Sequence, residues 1–167
     1  MDKEPFEQLG KFIFKFQHIE ADVVRLIIYL AQADDEMIEI IISELGFFQR
    51  IKTLDVMFAR FADLHKDIDD DEKKRFHKLI SFLQTIAQRR NELVHSTYFS
   101  YLTLEKRIGL LRKNSKLSGS KGERQVTEEE LHKESFEKDF KMVSQASQEL
   151  HHFELQLIEW LHPETHD

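Results

Sequence analysis

Apolar residues recur every three or four positions through most of this chain, which is the spacing expected of helices with one buried face. The longest stripe covers residues 5–33 and starts at Pro5, a residue that fits the first turn of a helix. Two further stripes cover about 45–65 and 72–93. The pattern therefore predicts three successive helices in the first 95 positions.

A fourth stripe predicts a helix over residues 127–161. Thr127 followed three positions later by Glu130 forms a capping box, in which both side chains satisfy free backbone N–H groups. Pro163 is expected to stop this helix. Residues 37–43 are ambiguous, because their run of β-branched isoleucines fits either a short extended segment or a helix.

The segment between the third and fourth helices has a different character. Residues 98–103 and 108–112 predict a small hairpin, with a continued helix as the alternative, while the glycines and serines of 114–125 are typical of a mobile loop. We therefore expect one all-α domain over residues 1–167. Its architecture would be an antiparallel bundle of four principal helices, with a small hairpin or irregular basic insertion at about 97–126.

Composition and charge narrow the function classes. The chain has no cysteine, which excludes a disulfide framework and thiolate chemistry. Its net charge is −7, yet the segment 84–124 holds nine Lys or Arg side chains against three acids. Such a basic zone can bind anions, although a solvated loop has the same composition. No apolar run approaches membrane-spanning length and no secretory leader is recognisable, so we expect a cytoplasmic protein without membrane contact.

The end of the third predicted helix carries the motif Arg90-Asn91-x-x-x-His95. About 0.006 matches to this spacing are expected by chance in a chain of this composition. The motif also opens the basic segment, which would attract phosphate. A purely structural interpretation stays open, in which Arg90 and Asn91 cap carbonyl groups and His95 ends the helix.

A looser pattern, Arg followed by His after four to six residues, is a weak indication because it also matches Arg60 and His65. The acidic run 67–72 follows that second pair. These acids would repel phosphate, and they suit the N-terminus of the third helix instead. We interpret Arg60 and His65 as an ordinary helix end.

The residue types of the motif suit RNA cleavage without a metal. Such cleavage needs a base for the 2′-hydroxyl proton, an acid for the leaving 5′-oxygen and positive charge at the transition state. Histidine can exchange protons near neutral pH, and arginine offers a fixed, bidentate charge for phosphate. Asn91 can orient either residue or the phosphate. One copy supplies too few groups, whereas two copies across a two-fold axis would supply two of each.

The motif and its place at the end of the third main helix resemble the signature of the HEPN superfamily of small helical proteins. The resemblance implies that Arg90, Asn91 and His95 form a composite site in a homodimer. It also implies metal-independent RNA cleavage by a toxin or antiviral defence effector, with an antitoxin or regulatory protein as a further partner. We expect no cofactor and no metal. Candidate RNA contacts beside the motif are Arg89, Tyr98, Lys106 and Arg107.

The sequence also allows two other interpretations. The HEPN superfamily also contains members that bind RNA or nucleotides without cutting, so a non-catalytic helical dimer that binds protein or nucleic acid is the second hypothesis.

The pairs Glu129/His132 and Glu149/His152 have the Glu-x-x-His spacing of di-iron bundles. Both pairs fall on one predicted helix, whereas a di-iron site needs them on different helices, so we interpret these histidines as surface residues.

Overall fold

The computed structural model describes residues 4–105, 108–118 and 122–163. Lys106 and Arg107, two of the candidate RNA contacts, lie outside the described residues. Over the described ranges the chain forms five α-helices, one short 3-10 helix and three strands. In chain order these are α1 Glu4–Ala31, α2 Asp35–Ser43, α3 Phe47–Leu64, α4 Asp70–Val94, β1 Thr97–Leu102, β2 Ile108–Ser118, β3 Glu123–Leu131, the 3-10 helix Lys133–Phe136 and α5 Glu137–Leu161.

The three helices predicted in the first 95 positions are confirmed as α1, α3 and α4. α4 begins after Asp69, whose side chain accepts hydrogen bonds from backbone N–H groups of the first turn. The ambiguous segment 37–43 is helical and belongs to α2, where Asp34 accepts a hydrogen bond from the N–H of Met37. These carboxylates satisfy N–H groups that have no partner inside their helices, so both helices start directly after an aspartate.

One continuous core lies between the helices. α1 packs against α3 and α5, and α4 packs against the same two helices. Aromatic rings fill much of this space: Phe58 stacks on Phe76 with ring centres 4.0 Å apart, and both rings meet Phe153 edge-on. The sheet adds Leu110 and Leu131 to the same core. Packing of the interior therefore accounts for much of the phenylalanine content.

Between α4 and α5 the chain forms a three-stranded antiparallel sheet in the order β1-β2-β3. The predicted hairpin is confirmed as the pairing of β1 with β2. β2 continues to Ser118 and pairs with β3 along the whole length of β3. The mobile loop expected at 114–125 is therefore wrong for residues 114–118 and 123–125, which are strand.

The capping box predicted at Thr127 and Glu130 is also wrong, because both residues lie in β3. α5 begins only at Glu137, after the short 3-10 helix. Pairing with β2 outweighs the local helix signal, since opposite charges face each other across the strands. Lys113 Nζ lies 2.7 Å from a carboxylate oxygen of Glu128 in one such pair.

The chain is therefore predominantly helical and carries a three-stranded antiparallel sheet, so the all-α prediction is wrong in that respect. The sheet takes the place of the basic insertion expected at about 97–126 and extends to Leu131. Within the described ranges, no helix combines the length and the apolar character needed to cross a bilayer. Because β1 follows α4 directly, the sheet stands beside the end of the helix that carries the motif.

Candidate active site

The motif lies on the last turns of α4, which the core anchors on one face. Ile86, Ala87 and Leu93 are buried and fix that face. His95 is the C-terminal cap, and its backbone N–H donates to the carbonyl oxygen of Asn91 over 3.0 Å. The prediction that the helix ends at this histidine is confirmed.

Side chains from the sheet hydrogen-bond the last carbonyl groups of α4. The Tyr98 hydroxyl donates to the carbonyl oxygen of Leu93. Arg112 Nη1 donates to the carbonyl oxygen of Glu92 over 3.2 Å and to the hydroxyl of Ser96 over 3.3 Å. Carbonyl groups at a helix end have no partners inside the helix. Because β1 and β2 supply those partners, the sheet fixes the turn that carries the motif.

The structure brings Arg90 and Asn91 together. Arg90 Nη1 donates to Oδ1 of Asn91 over 3.1 Å, and the guanidinium lies 5.6 Å from the centre of the Phe16 ring. In the described part of the chain, no carboxylate pairs with Arg90, and its buried Nε has no hydrogen-bond partner. Among the described residues, the contacts of the Arg90 guanidinium are therefore an aromatic ring and an amide.

Arg90 and Asn91 open onto a cavity of about 460 Å³ between α1, the start of α3 and α4. We call this cavity the Arg90 cleft. It is lined by side chains that include Phe16, Glu20, Phe48, Gln49, Arg90 and Asn91. The residues from α1 and α3 were not connected to the motif from the sequence, because no spacing signal links them to it.

His95 lies on the exposed surface, one turn beyond Asn91. None of the described residues forms a hydrogen bond or an ion pair with its imidazole. His95 is the cap residue beyond the last residue of α4, whereas Arg90 lies inside the helix and lines the Arg90 cleft. His95 is not among the residues that line this cleft, so one chain offers the imidazole and the guanidinium at different places.

Arg89, a candidate RNA contact, is engaged by carboxylates. Its Nη1 and Nη2 donate to the two carboxylate oxygens of Glu129 over 2.8 and 2.9 Å, and its Nε donates to Asp139 over 3.1 Å. Burial opposes the charged form, yet the two carboxylates raise the pKa of Arg89 above its ordinary value. These N–H donors are already hydrogen-bonded to Glu129 and Asp139, and contact of Arg89 with RNA stays a prediction.

Arg112, Glu129 and Asp139 complete this group, which we call the Arg89 cluster. From the sequence, Glu129 was singled out only as half of a Glu-x-x-His pair, and Arg112 and Asp139 were not singled out. Arg112 is buried, and its Nη2 lies 2.7 Å from Glu129. Burial opposes ionisation of Glu129, but the two arginines lower its pKa; at Asp139 burial dominates and raises the pKa. The cluster ties the sheet to α4 and α5.

Tyr98, another candidate RNA contact, is half-buried at the base of β1. Burial raises the pKa of its hydroxyl, and that hydroxyl is hydrogen-bonded to the end of α4. Its place in the structure is that of a cap for the helix end, and contact with RNA stays a prediction.

The second Arg–His pair, Arg60 and His65, differs from the motif in the state of its imidazole. Nδ1 of His65 donates to the carbonyl oxygen of Phe61 over 2.8 Å, and the two rings lie 3.9 Å apart. The imidazole of His65 is thus occupied by its own helix end, as expected of a structural residue. The imidazole of His95 has no comparable bond to the described residues.

The two Glu-x-x-His pairs do not share a helix, because Glu129 lies in β3 and His132 follows it. Glu129 is an ion-pair partner of Arg89 rather than a free carboxylate. In residues 4–105, 108–118 and 122–163, no group of three or more His, Cys, Asp or Glu side chains is arranged to hold a metal ion.

Comparison of the chain with family models, with curated proteins and with solved structures found no match. The HEPN resemblance therefore depends on Arg90, Asn91 and His95 and on their place at the end of the third long helix.

Proposed function

We propose that this protein is a metal-independent endoribonuclease whose active site combines Arg90, Asn91 and His95 from two copies of the chain in a homodimer. One observation carries the proposal: in the described ranges, an exposed imidazole without a partner lies five positions from an arginine with which no carboxylate pairs. A group that exchanges protons with a substrate needs this exposure. The role of a toxin or defence effector, held by an antitoxin or regulatory protein, comes from the HEPN resemblance.

The positions of the side chains favour a composite site. Within one chain, Arg90 and Asn91 line the Arg90 cleft and His95 does not. A single copy therefore offers the imidazole and the guanidinium to different places. A second copy placed across a two-fold axis can set its own Arg90 against the first His95, and the symmetry creates the reciprocal pair.

The expected chemistry is attack of the RNA 2′-hydroxyl on the adjacent phosphorus. The neutral imidazole of His95 takes the 2′-hydroxyl proton as the new P–O bond forms. The imidazolium of His95 of the partner subunit gives a proton to the 5′-oxygen as the old P–O bond breaks. Arg90 stabilises the negative charge that builds on the phosphorane oxygens, and Asn91 orients Arg90 through their hydrogen bond. The products are a 2′,3′-cyclic phosphate and a 5′-hydroxyl.

The test is cleavage of a labelled single-stranded RNA in excess EDTA by the wild type and by His95→Ala. We expect 2′,3′-cyclic phosphate ends from the wild type and a loss of about 10²–10⁴-fold in rate for the variant. The double variant Arg60→Ala/His65→Ala is the matched control, since it removes the other Arg–His pair, and it should cleave like the wild type. Equal cleavage by the wild type and His95→Ala would contradict the proposal, as would no cleavage by a folded, dimeric wild type.

A non-catalytic binding role has one specific observation in its favour. The outward face of α2 exposes Met37, Ile40 and Ile41, each 62–64% accessible. The acids of the same helix have no ion-pair partner in the described part of the chain. Such a surface suits a basic, amphipathic segment of a partner protein. The variant His95→Gln separates the roles, because a pure binder keeps its affinity for that partner while an enzyme loses cleavage.

A further inference from the structure

The Arg90 cleft collects polar groups whose hydrogen-bonding capacity is unused. Within the described ranges, the buried Nε of Arg90 has no partner and the half-buried carboxylate of Glu20 forms neither a hydrogen bond nor an ion pair. Asn91 accepts one bond from Arg90, and its amide N–H groups have no described partner. Of these groups, Nε of Arg90 is buried, and buried polar atoms in folded proteins are nearly always paired. Convergence of several unpaired groups on one cavity is the pattern of a ligand site.

The cleft has the dimensions and the lining for one planar ring system. Its volume of about 460 Å³ lies within the range of small-molecule sites. Phe48 lines the cleft and is 37% exposed, and Phe16 meets the neighbouring Phe47 edge-on with ring centres 5.0 Å apart. Gln49 and Asn91 add amide groups to the wall. Stacking on an aromatic ring and hydrogen bonding along one edge are the contacts by which proteins hold single-stranded nucleobases.

The charges in the cleft favour a base over a phosphate. A phosphate inside the cleft would meet the carboxylate of Glu20 as well as the guanidinium of Arg90, and the carboxylate would repel it. A neutral ring with N–H donors satisfies Glu20 instead. Guanine presents two adjacent donors, N1–H and the 2-amino group, to one carboxylate. Adenine presents a lone pair at N1 and uracil has a single N–H, so neither matches a carboxylate as well.

We propose that the Arg90 cleft is a guanine subsite, in which the base stacks on Phe48 and donates to Glu20. The inference rests on the proposed ribonuclease function, because it places a guanosine next to the phosphate that Arg90 binds. Arg90 both lines the cleft and belongs to the motif, so it joins base recognition to the phosphate that is cut. The enzyme accordingly cleaves single-stranded RNA beside G.

The test measures binding separately from cleavage. The dinucleotides GpG, ApA and UpU with 2′-O-methyl riboses cannot undergo attack by the 2′-oxygen, so they can be titrated into the full wild-type chain by calorimetry. We expect GpG to bind about tenfold more tightly than ApA or UpU, as a bidentate base contact gives. Glu20→Gln should remove most of this preference, and Phe48→Ala should weaken the binding of all three by about tenfold.

Two matched variants serve as controls. Glu7→Gln removes an exposed carboxylate from the same helix as Glu20, and Phe14→Ala removes an exposed ring, 61% accessible, from that helix. Neither residue lines the cleft, so both variants should bind the dinucleotides like the wild type. Thermal unfolding of every variant identifies a loss of binding that comes from misfolding, and the partly exposed Phe48 tests the site independently of Glu20.

The outcomes separate the subsite from the ribonuclease. Equal affinity for the three dinucleotides, no binding at millimolar concentration, or a GpG preference that survives in Glu20→Gln would overturn the guanine subsite. RNA cleavage without base preference would leave the ribonuclease standing and remove the subsite. GpG-selective binding that needs Glu20, in a chain that cuts no RNA, would support the subsite and reject the ribonuclease.

Discussion

Two cavities beside α4 show how the surroundings of the neighbouring residues Arg89 and Arg90 differ. The cavity at Arg89, about 500 Å³ in volume, has the acids Glu92, Glu129 and Asp139 in its lining. Arg89 is ion-paired with two of these acids, so its hydrogen bonds hold the fold together. A phosphate that entered this cavity would meet more carboxylates than cations.

The Arg90 cleft is similar in volume and different in lining. Its cation faces the Phe16 ring and the Asn91 amide, and Glu20 is the one acid among the side chains that line it. The comparison teaches that a run of basic residues does not by itself locate an anion site. The groups that the fold places opposite each cation decide whether its charge is available to a ligand.

Arg90→Ala gives the largest expected effect in this comparison, and the effect falls on activity. Loss of the charge that stabilises the transition state should slow RNA cleavage by about 10²–10³-fold. The free energy of unfolding should fall by only about 1 kcal/mol, because no ion pair is broken. Single-turnover cleavage and urea unfolding measure the two quantities. Arg90→Lys keeps the charge without the bidentate fork and should recover only part of the rate; unchanged cleavage in Arg90→Ala would refute the assignment.

Arg89→Met comes next, and its effect falls on stability. The buried Asp139 would lose its cation and Glu129 would keep only Arg112, so the free energy of unfolding should fall by about 3 kcal/mol. Urea unfolding checks this value, while cleavage by the folded fraction should fall far less than in Arg90→Ala. Adding Asp139→Asn should restore part of the lost stability, since it removes one unpaired charge. Strictly additive losses would show that these residues do not act as a cluster.

Glu129→Gln gives the smallest effect, a change in how stability depends on pH. Burial opposes ionisation of Glu129, but Arg89 and Arg112 lower its pKa below the ordinary value of 4.5. Its contribution is therefore full above about pH 4.5 and is lost as the pH falls through the folded-state pKa. Asp139 has the opposite effect on the pH dependence of stability. Burial raises its pKa, so protonation at acid pH removes the cost of keeping its charge buried.

The variant should therefore lose less stability than the wild type on acidification below about pH 4.5. Urea midpoints measured at several pH values compare the two proteins. Glu134→Gln, at an exposed acid in the 3-10 helix, is the matched control and should follow the wild type. Identical pH profiles for the wild type and Glu129→Gln would place the acid sensitivity elsewhere.

The long helices could be predicted because their signals are local. The apolar period persists over many turns in α1, α3 and α4, and the cap at Asp69 directly precedes its helix. The stretch 127–131 was predicted as helix because Thr127 and Glu130 satisfy a local capping rule, whereas the strand that pairs with them lies earlier in the chain. Opposite charges at 112–113 and 128–129 were the available sign of that pairing.

The same distinction applies to the site. Arg90, Asn91 and His95 could be found together because they lie within two turns of one helix. Glu20 and Phe48 reach the cleft only through packing of α1 and α3 on α4, which no sequence spacing reveals. For the same reason Arg89 was a candidate RNA contact, since its partners stand 40 and 50 positions away in the chain.

The hydrogen bonds that Tyr98 and Arg112 make to the end of α4 also bear on how such a protein can diversify. They hold the turn that carries the motif from the sheet, whereas walls of the Arg90 cleft come from α1 and α3. Under the proposed function, substitutions in those walls would alter the nucleotide preference while Arg90, Asn91 and His95 keep their scaffold. A library randomised at Glu20, Phe48 and Gln49 is accordingly the natural starting point for evolving new base preferences on this fold.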